Sequence, residues 1–186
     1  MVGSYRTLKK QYDDFPEATR NYLRKLDMLL ADGKNLDAAL AYIFMKLEEG
    51  HHKALKCGLV RIHDCNSAKV DEALRKQHFT RAYFRTVYKN VFGEAIPSEI
   101  TEIISIAEKT RDGLIHGKDV KELELRKAIS LALSYVFEVG QLVEKKTGKN
   151  PYGDLRGLAG RKAPLKKTTS YWVMKGIGLY SQDDGD

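Results

Sequence analysis

The 186-residue sequence predicts an all-α protein, a bundle of about five helices followed by a basic, glycine-rich C-terminal arm. Two observations point there. Between Asp14 and Thr147 apolar residues recur at spacings of three and four with little glycine or proline between them, which is helical periodicity. No part of that region keeps the strict apolar–polar alternation of a half-buried strand. After Thr147 the character changes. Gly148, Gly153, Gly157, Gly160, Gly176 and Gly178 interrupt the chain, and the pattern there predicts no helix of useful length. The expected division is a helical domain over 1–147 and an arm over 148–186.

The elements follow in order. Asp14 with Glu17 three positions on makes a capping-box pattern. It opens a first helix that carries Tyr22, Leu23, Leu26, Leu29 and Leu30 inward until Gly33 stops it. A second runs from about Leu36 through Leu40, Ile43 and Leu47 and on toward Leu59 and Ile62, with Gly50 as a place for a kink. The third spans Ser67 to Phe92. There Phe79, Tyr83, Val87 and Val91 form one apolar row and Phe84, Tyr88 and Phe92 its neighbour, while Arg81, Arg85 and Lys89 occupy a different face. Gly93 to Pro97 reads as a turn and Ser98 as the N-cap of a fourth helix with the buried stripe Ile100, Ile103, Ile104 and Ala107. Asp112-Gly113 reads as a break. Asp119 with Glu122 offers a second capping box, and the fifth helix it opens is apolar on nearly all sides from Ala128 to Val143. Such a helix belongs in the middle of a bundle or at a dimer seam. At about 16 residues, with Glu138 inside it, it falls short of the roughly 20 needed to cross a bilayer.

With 42% hydrophobic and 31% charged residues, collagen-like and wholly disordered chains are excluded. Net charge is +7, a balance that favours a polyanion or an acidic partner. Much of it lies in the arm, where Lys149, Arg156, Arg161, Lys162, Lys166, Lys167 and Lys175 face the single acid Asp154 between Gly148 and Gln182. The arm either folds onto the bundle or a partner subunit, or orders on RNA. Trp172 beside Tyr171, Val173 and Met174 favours docking, because leaving so much apolar surface in water is unfavourable. The polar, basic start from Met1 to Lys10 and the lack of a spanning apolar run predict a cytosolic protein that makes no use of a membrane. Cys57 and Cys65, eight positions apart on one expected helix, would sit about 12 Å apart along its axis. That is too far for an internal disulfide and fits a reducing compartment.

The residues able to do chemistry begin with Arg111. Extending the periodicity of the fourth helix puts it in line with Ile100, Ile104 and Ala107, pointing inward, where a guanidinium requires an acidic partner or a ligand. An internal ion pair with a glutamate would meet that need. His116 follows five positions later in the segment Thr110-Arg111-Asp112-Gly113-Leu114-Ile115-His116-Gly117-Lys118. On an unbroken helix five steps separate the two side chains by about 140°, so they share a site only if Gly113 and Gly117 let the chain turn between them. A histidine near a helix end also serves as a simple cap.

An arginine, a polar residue, a short spacer and a histidine, set between the last two long helices of an all-α domain, resemble the R-x4-6-H motif of the HEPN superfamily. The matching residues are Arg111, Asp112 and His116, and the likeness extends in pattern over about Ser67 to Thr147. The resemblance implies a metal-independent endoribonuclease acting as a homodimer, with motifs from two chains facing one cleft and no cofactor. In that scheme His116 handles the proton, Arg111 holds the scissile phosphate and Asp112 orients one of them. It also implies a toxin or antiphage effector, with an antitoxin or other regulatory protein as partner. The competing expectation is a catalytically silent helical module that binds RNA, a nucleotide or a protein through the same cleft. Relatives in this family often carry a tyrosine two places beyond the histidine. Here that position is Lys118, which can contact phosphate instead.

The remaining RNA-binding candidates are the stripe Arg81, Arg85 and Lys89, which otherwise reads as a solvated surface, and the pair Arg161 and Lys162. In the segment Gly157-Leu158-Ala159-Gly160-Arg161-Lys162, backbone N–H groups and cations can cradle a phosphate, although no strand precedes it. His51, His52, Cys57, His63 and Cys65 show no ligand spacing of the C-x2-C or H-x3-H kind and read as structural residues, so no metal is expected.

Overall fold

The computed structural model describes residues 4–31, 33–160 and 162–179. Among them every regular element is a helix, as the periodicity predicts: α1 (Tyr5–Asp13), α2 (Glu17–Tyr22), α3 (Lys25–Leu29), α4 (Leu36–Arg61), α5 (Ser67–Arg75), α6 (Arg81–Phe92), α7 (Ser98–Ile115), α8 (Glu122–Thr147) and α9 (Lys167–Ile177). No described helix is long and apolar enough to cross a membrane.

The helices are more numerous than the expected five, because two of the expected runs are divided. The first expected helix, from Asp14 to Gly33, is instead α2 and α3, and α1 precedes them. Pro16, which lacks a backbone N–H, is the N-cap of α2, and Leu23 leaves helical geometry at φ −98°, ψ 25°. The expected run from Ser67 to Phe92 is broken because Thr80 takes an extended conformation and its hydroxyl accepts the Tyr83 N–H at 3.2 Å, starting a new helix. Pro97, not Ser98, is the N-cap of α7. Cys65 lies beyond the end of α4, so the two cysteines do not share one helix; both are free and buried. The arm, for which no helix was expected, contains α9.

The chain divides into two compact units, each built from two separate stretches of sequence: 1–49 with 97–140, and 50–96 with 141–186. The first holds α1, α2, α3, α7, the opening of α4 and most of α8. Its core is formed by Leu8, Leu26, Leu40, Ile43, Ile104 and Ile129, all buried. Gln11 ties α1 to α8: its Nε2 donates to Ser130 O at 3.0 Å and Ser134 Oγ at 3.1 Å, and its Oε1 accepts from Ser130 Oγ at 2.9 Å. Glu138, inside the apolar run, is exposed.

The second unit holds the rest of α4, then α5, α6, the last turns of α8, the arm and α9. Two glycines of α4 set its close packing. A Cβ on Gly58 would fall 2.4 Å from Val91 Cγ1, and one on Gly50 would fall 2.1 Å from Tyr152 Cε1. Gly50 does not end the helix; α4 continues through it and the arm's Tyr152 fills the space it leaves. Arg61 closes the other end of the arm, donating Nε to Thr147 O and Nη1 to Ala159 O, each at 3.0 Å, and so satisfies a carbonyl at the end of α8. The arm from Gly148 to Leu179 is folded against this unit through buried Tyr152, Ser170, Met174 and Leu179, whereas Trp172, expected to dock, is 64% exposed.

Candidate functional site

Arg111, Asp112 and His116 all belong to the C-terminal end of α7, in the first unit. The inward stripe Ile100, Ile104 and Ala107 is buried and Arg111 continues it. Its side chain is 20% exposed, its guanidinium carbon lies 4.9 Å from the centroid of the Phe44 ring, and its Nε sits 3.1 Å from Asp112 Oδ1. That ion-pair contact lacks hydrogen-bond geometry, so the buried Nε makes no hydrogen bond. The acid beside Nε is Asp112. The charge is held by an aromatic face and a half-exposed carboxylate, a milder environment than full burial.

The helix does not break at Asp112-Gly113. It continues to Ile115, with His116 as C-cap at φ −85°, ψ 14° and Gly117 in the left-handed region at φ +73°. The Gly117 N–H bonds Leu114 O and the Lys118 N–H bonds Gly113 O, both at 3.0 Å, which is the paired closure of a Schellman motif. Gly113 is therefore an interior helix residue whose carbonyl anchors the turn, and Gly117 is the residue that needs glycine's freedom. His116 is exposed, with its N–H donating to Asp112 O at 3.0 Å. Because the helix is continuous, its phase sets the imidazole about 140° from the guanidinium. The fold brings Arg111 and Asp112 together and leaves His116 facing solvent from another side.

Beside this turn lies a groove of about 530 Å³ lined by residues that include Lys34, Asp37, Leu114, Lys118, Asp119 and Glu122. Lys118 is exposed on its rim. Two bases against three acids give this groove no preference for a phosphate.

The other sequence candidates belong to the second unit. Arg81 and Arg85 are half-buried, and both act electrostatically on the buried ring of His51. Lys89, the last of that stripe, is exposed. Tyr83 and Asn90 reach α9 from the other side of α6, donating to Gly178 O and Ile177 O, so by helical phase the basic stripe faces away from α9. Arg161 lies outside the described residues. Lys162 is exposed and lines a pocket of about 400 Å³ with Arg61, Ile62, Asp64, Phe92 and Lys146. Much of that positive charge is already engaged: Arg61 on two carbonyls, and Lys146 on Glu94 at 3.0 Å. The glycine-rich loop is pressed against the end of α4, where a Cβ on Gly160 would fall 2.8 Å from Asp64 Oδ1. The Lys162 N–H donates to the same carboxylate oxygen at 3.4 Å. A carboxylate holds the place a phosphate would take.

Among the described residues no three histidine, cysteine or acidic side chains gather as metal ligands. His51 stacks on Phe84, His52 meets Phe79 edge-on, and His63 Nε2 lies 2.8 Å from Val91 O. Burial pushes the thiols up, Cys57 to about 12 and Cys65 to about 11, which leaves them unreactive at neutral pH.

Comparisons of this chain with protein-family models, curated proteins and solved structures find no match. What the site can do rests on its own geometry.

Docking of the arm was expected and is found, but Trp172, part of the apolar group that argued for it, is itself exposed. Its signal was present. Ser170 and Met174, four apart, mark the inner stripe of a helix whose opposite side carries Trp172, but Gly176 and Gly178 obscured that periodicity.

Proposed function

We propose that this chain is a HEPN-like, metal-independent endoribonuclease that works as a homodimer, cleaving RNA to leave a 2′,3′-cyclic phosphate. One observation carries the reading. A rigid Schellman turn presents the exposed imidazole of His116 one turn beyond a guanidinium whose Nε has no hydrogen bond. Within one chain the phase of α7 keeps the two groups on different faces, so a single copy cannot close both around one phosphate. A second copy, related by a twofold axis, supplies the missing pair.

The chemistry then balances. One imidazole takes the 2′-hydroxyl proton as that oxygen attacks phosphorus, and the other gives a proton to the departing 5′-oxygen. The guanidiniums stabilise the charge of the phosphorane, and Asp112 keeps Arg111 in place. Lys118 and the exposed Lys89 and Lys162 are available to RNA phosphates, Arg81 and Arg85 less so. An enzyme of this kind acts as a toxin or antiphage effector restrained by an antitoxin or another regulatory protein.

The acid-rich groove and the divergent Arg111 and His116 side chains favour one alternative, a silent module that uses this helix end to bind RNA, a nucleotide or a protein. Incubating end-labelled RNA with the protein in EDTA separates the two. The wild type should cut, leave cyclic phosphate ends and lose specific activity on dilution. His116→Ala and Arg111→Ala, with helix content verified by circular dichroism, should each be slower by about 100-fold or more. Intact RNA with wild-type protein, or activity that EDTA abolishes, refutes the nuclease.

A further inference from the structure

One face of α9 is spent on packing and the other is exposed. The inner face is fully used: Ser170 and Met174 are buried, and the Asn66 N–H donates to Ser170 Oγ at 2.9 Å. At the C-terminal end, Asn90 Nδ2 donates to Ile177 O at 3.0 Å and, just beyond the helix, Gln77 Nε2 donates to Leu179 O at 2.6 Å. The helix is thus anchored at both ends.

On the opposite side Thr168, Thr169, Trp172 and Gly176 are exposed, and the indole of Trp172 is 64% accessible. The Tyr171 ring meets it edge-on at 5.7 Å and 75°, and Lys175 Nζ lies 5.5 Å from its centroid. One turn on, a side chain at Gly176 would meet nothing within 4 Å, so the surface beside the indole is open. Lys166, Lys167 and Lys175 supply positive charge, and the sequence contains no acid from Leu155 to Leu179.

We propose that this face is a stacking platform for single-stranded RNA, with a base on the indole of Trp172 and a flanking phosphate on Lys175. Every base offers a π-face, and an exposed aromatic flanked by cations and small side chains is how sequence-tolerant single-strand binders are built. An anionic membrane would also attract lysines, but it needs a broad apolar face, and α9 exposes no large apolar side chain besides Trp172. The choice of RNA rests on the nuclease reading above; the stacking chemistry does not.

Trp172 is the only tryptophan in the chain and reports on its own site. The full-length protein is titrated with a 12-nucleotide oligouridine bearing 2′-O-methyl groups, which cannot be cleaved through the 2′-oxygen. Tryptophan fluorescence should be quenched, and the affinity should fall steeply with salt. Trp172→Ala should bind the same probe, followed by anisotropy of a label on the RNA, about tenfold more weakly, and Trp172→Phe should recover part of that loss. Unchanged anisotropy affinity in Trp172→Ala overturns the proposal, as does stronger quenching by duplex RNA or by vesicles containing anionic lipid. Cleavage of unmodified RNA is scored separately. Quenching without cleavage leaves the platform standing and the nuclease fallen, and cleavage with no effect of Trp172→Ala does the reverse.

Discussion

The imidazole of His51 lies 3.8 Å from the ring of Phe84, centroid to centroid, with 15° between the planes, and it is 8% exposed. Burial, and then the nearby His52, Arg81 and Arg85, hold its pKa down at about 3. In the unfolded chain the same ring titrates near 6.5. Between those values the unfolded state binds the extra proton, so the contribution is fully present above about pH 6.5 and is lost as pH falls toward 3, by up to about 1.4 kcal/mol per pH unit. Thermal midpoints taken from pH 7 to pH 4 should fall, and His51→Phe should flatten that decline. An equally steep decline in the variant would assign the acid sensitivity to other groups. At this scale the sequence was informative where a residue extends a buried stripe, as Arg111 extends Ile104 and Ala107. It was uninformative for His116, whose direction depends on whether the helix stops at Gly113 or Gly117. The Lys118-to-Gly113 hydrogen bond decides that, and no spacing encodes it.

Gly50 and Tyr152 show what one atom decides at the scale of an element. Helical propensity alone predicts that alanine at an interior glycine stabilises α4 by about 1 kcal/mol. Here the added methyl would lie 2.1 Å from the ring of Tyr152, which is wholly buried and has little room to retreat. Overpacking of this kind costs about 1–3 kcal/mol, so Gly50→Ala should lower the thermal midpoint despite the gain in propensity. Adding Tyr152→Leu should restore part of the loss, a coupling that a double-mutant cycle measures. Additive effects of the two substitutions would show that the ring does not occupy that space. Long elements such as α4 and α8 were legible because their apolar periodicity persists for many turns. The breaks at Pro16 and around Thr80 were not, because backbone capping overrode a side-chain pattern that continued across them. The helix α9 was missed for the opposite reason: eleven residues, with Gly176 inside and Gly178 at the end, leave too few turns for a periodicity to register.

Taken as a whole, the chain has a boundary at Thr147 in composition that its packing does not respect. The all-helical class and the basic arm follow from the sequence, but periodicity is a local quantity and cannot report which distant segments share a core. Residues 141–186 form one unit with 50–96, and the arm's Tyr152, Met174 and Leu179 are completely buried there. Full burial of each such side chain is worth about 1.5–3 kcal/mol, and three together rival the roughly 5–15 kcal/mol by which a domain is stable. A chain ending at Thr147 would also leave the surface over Gly50 uncovered and Arg61 without its acceptor on Ala159. It should therefore lose more helix than the eleven residues of α9, bind a hydrophobic dye, and show a broadened transition at lower temperature than the full chain. A truncated protein with an unshifted cooperative melt would mean that 1–147 folds alone and the arm is an accessory. The same comparison bears on RNA. Removing the arm removes Trp172, Lys162 and Lys175 but leaves Arg111 and His116 in sequences that contribute to the other unit. If that first unit keeps its fold, slow cleavage with weakened RNA binding is the expected result, and cleavage with undiminished binding would remove the arm from substrate capture altogether.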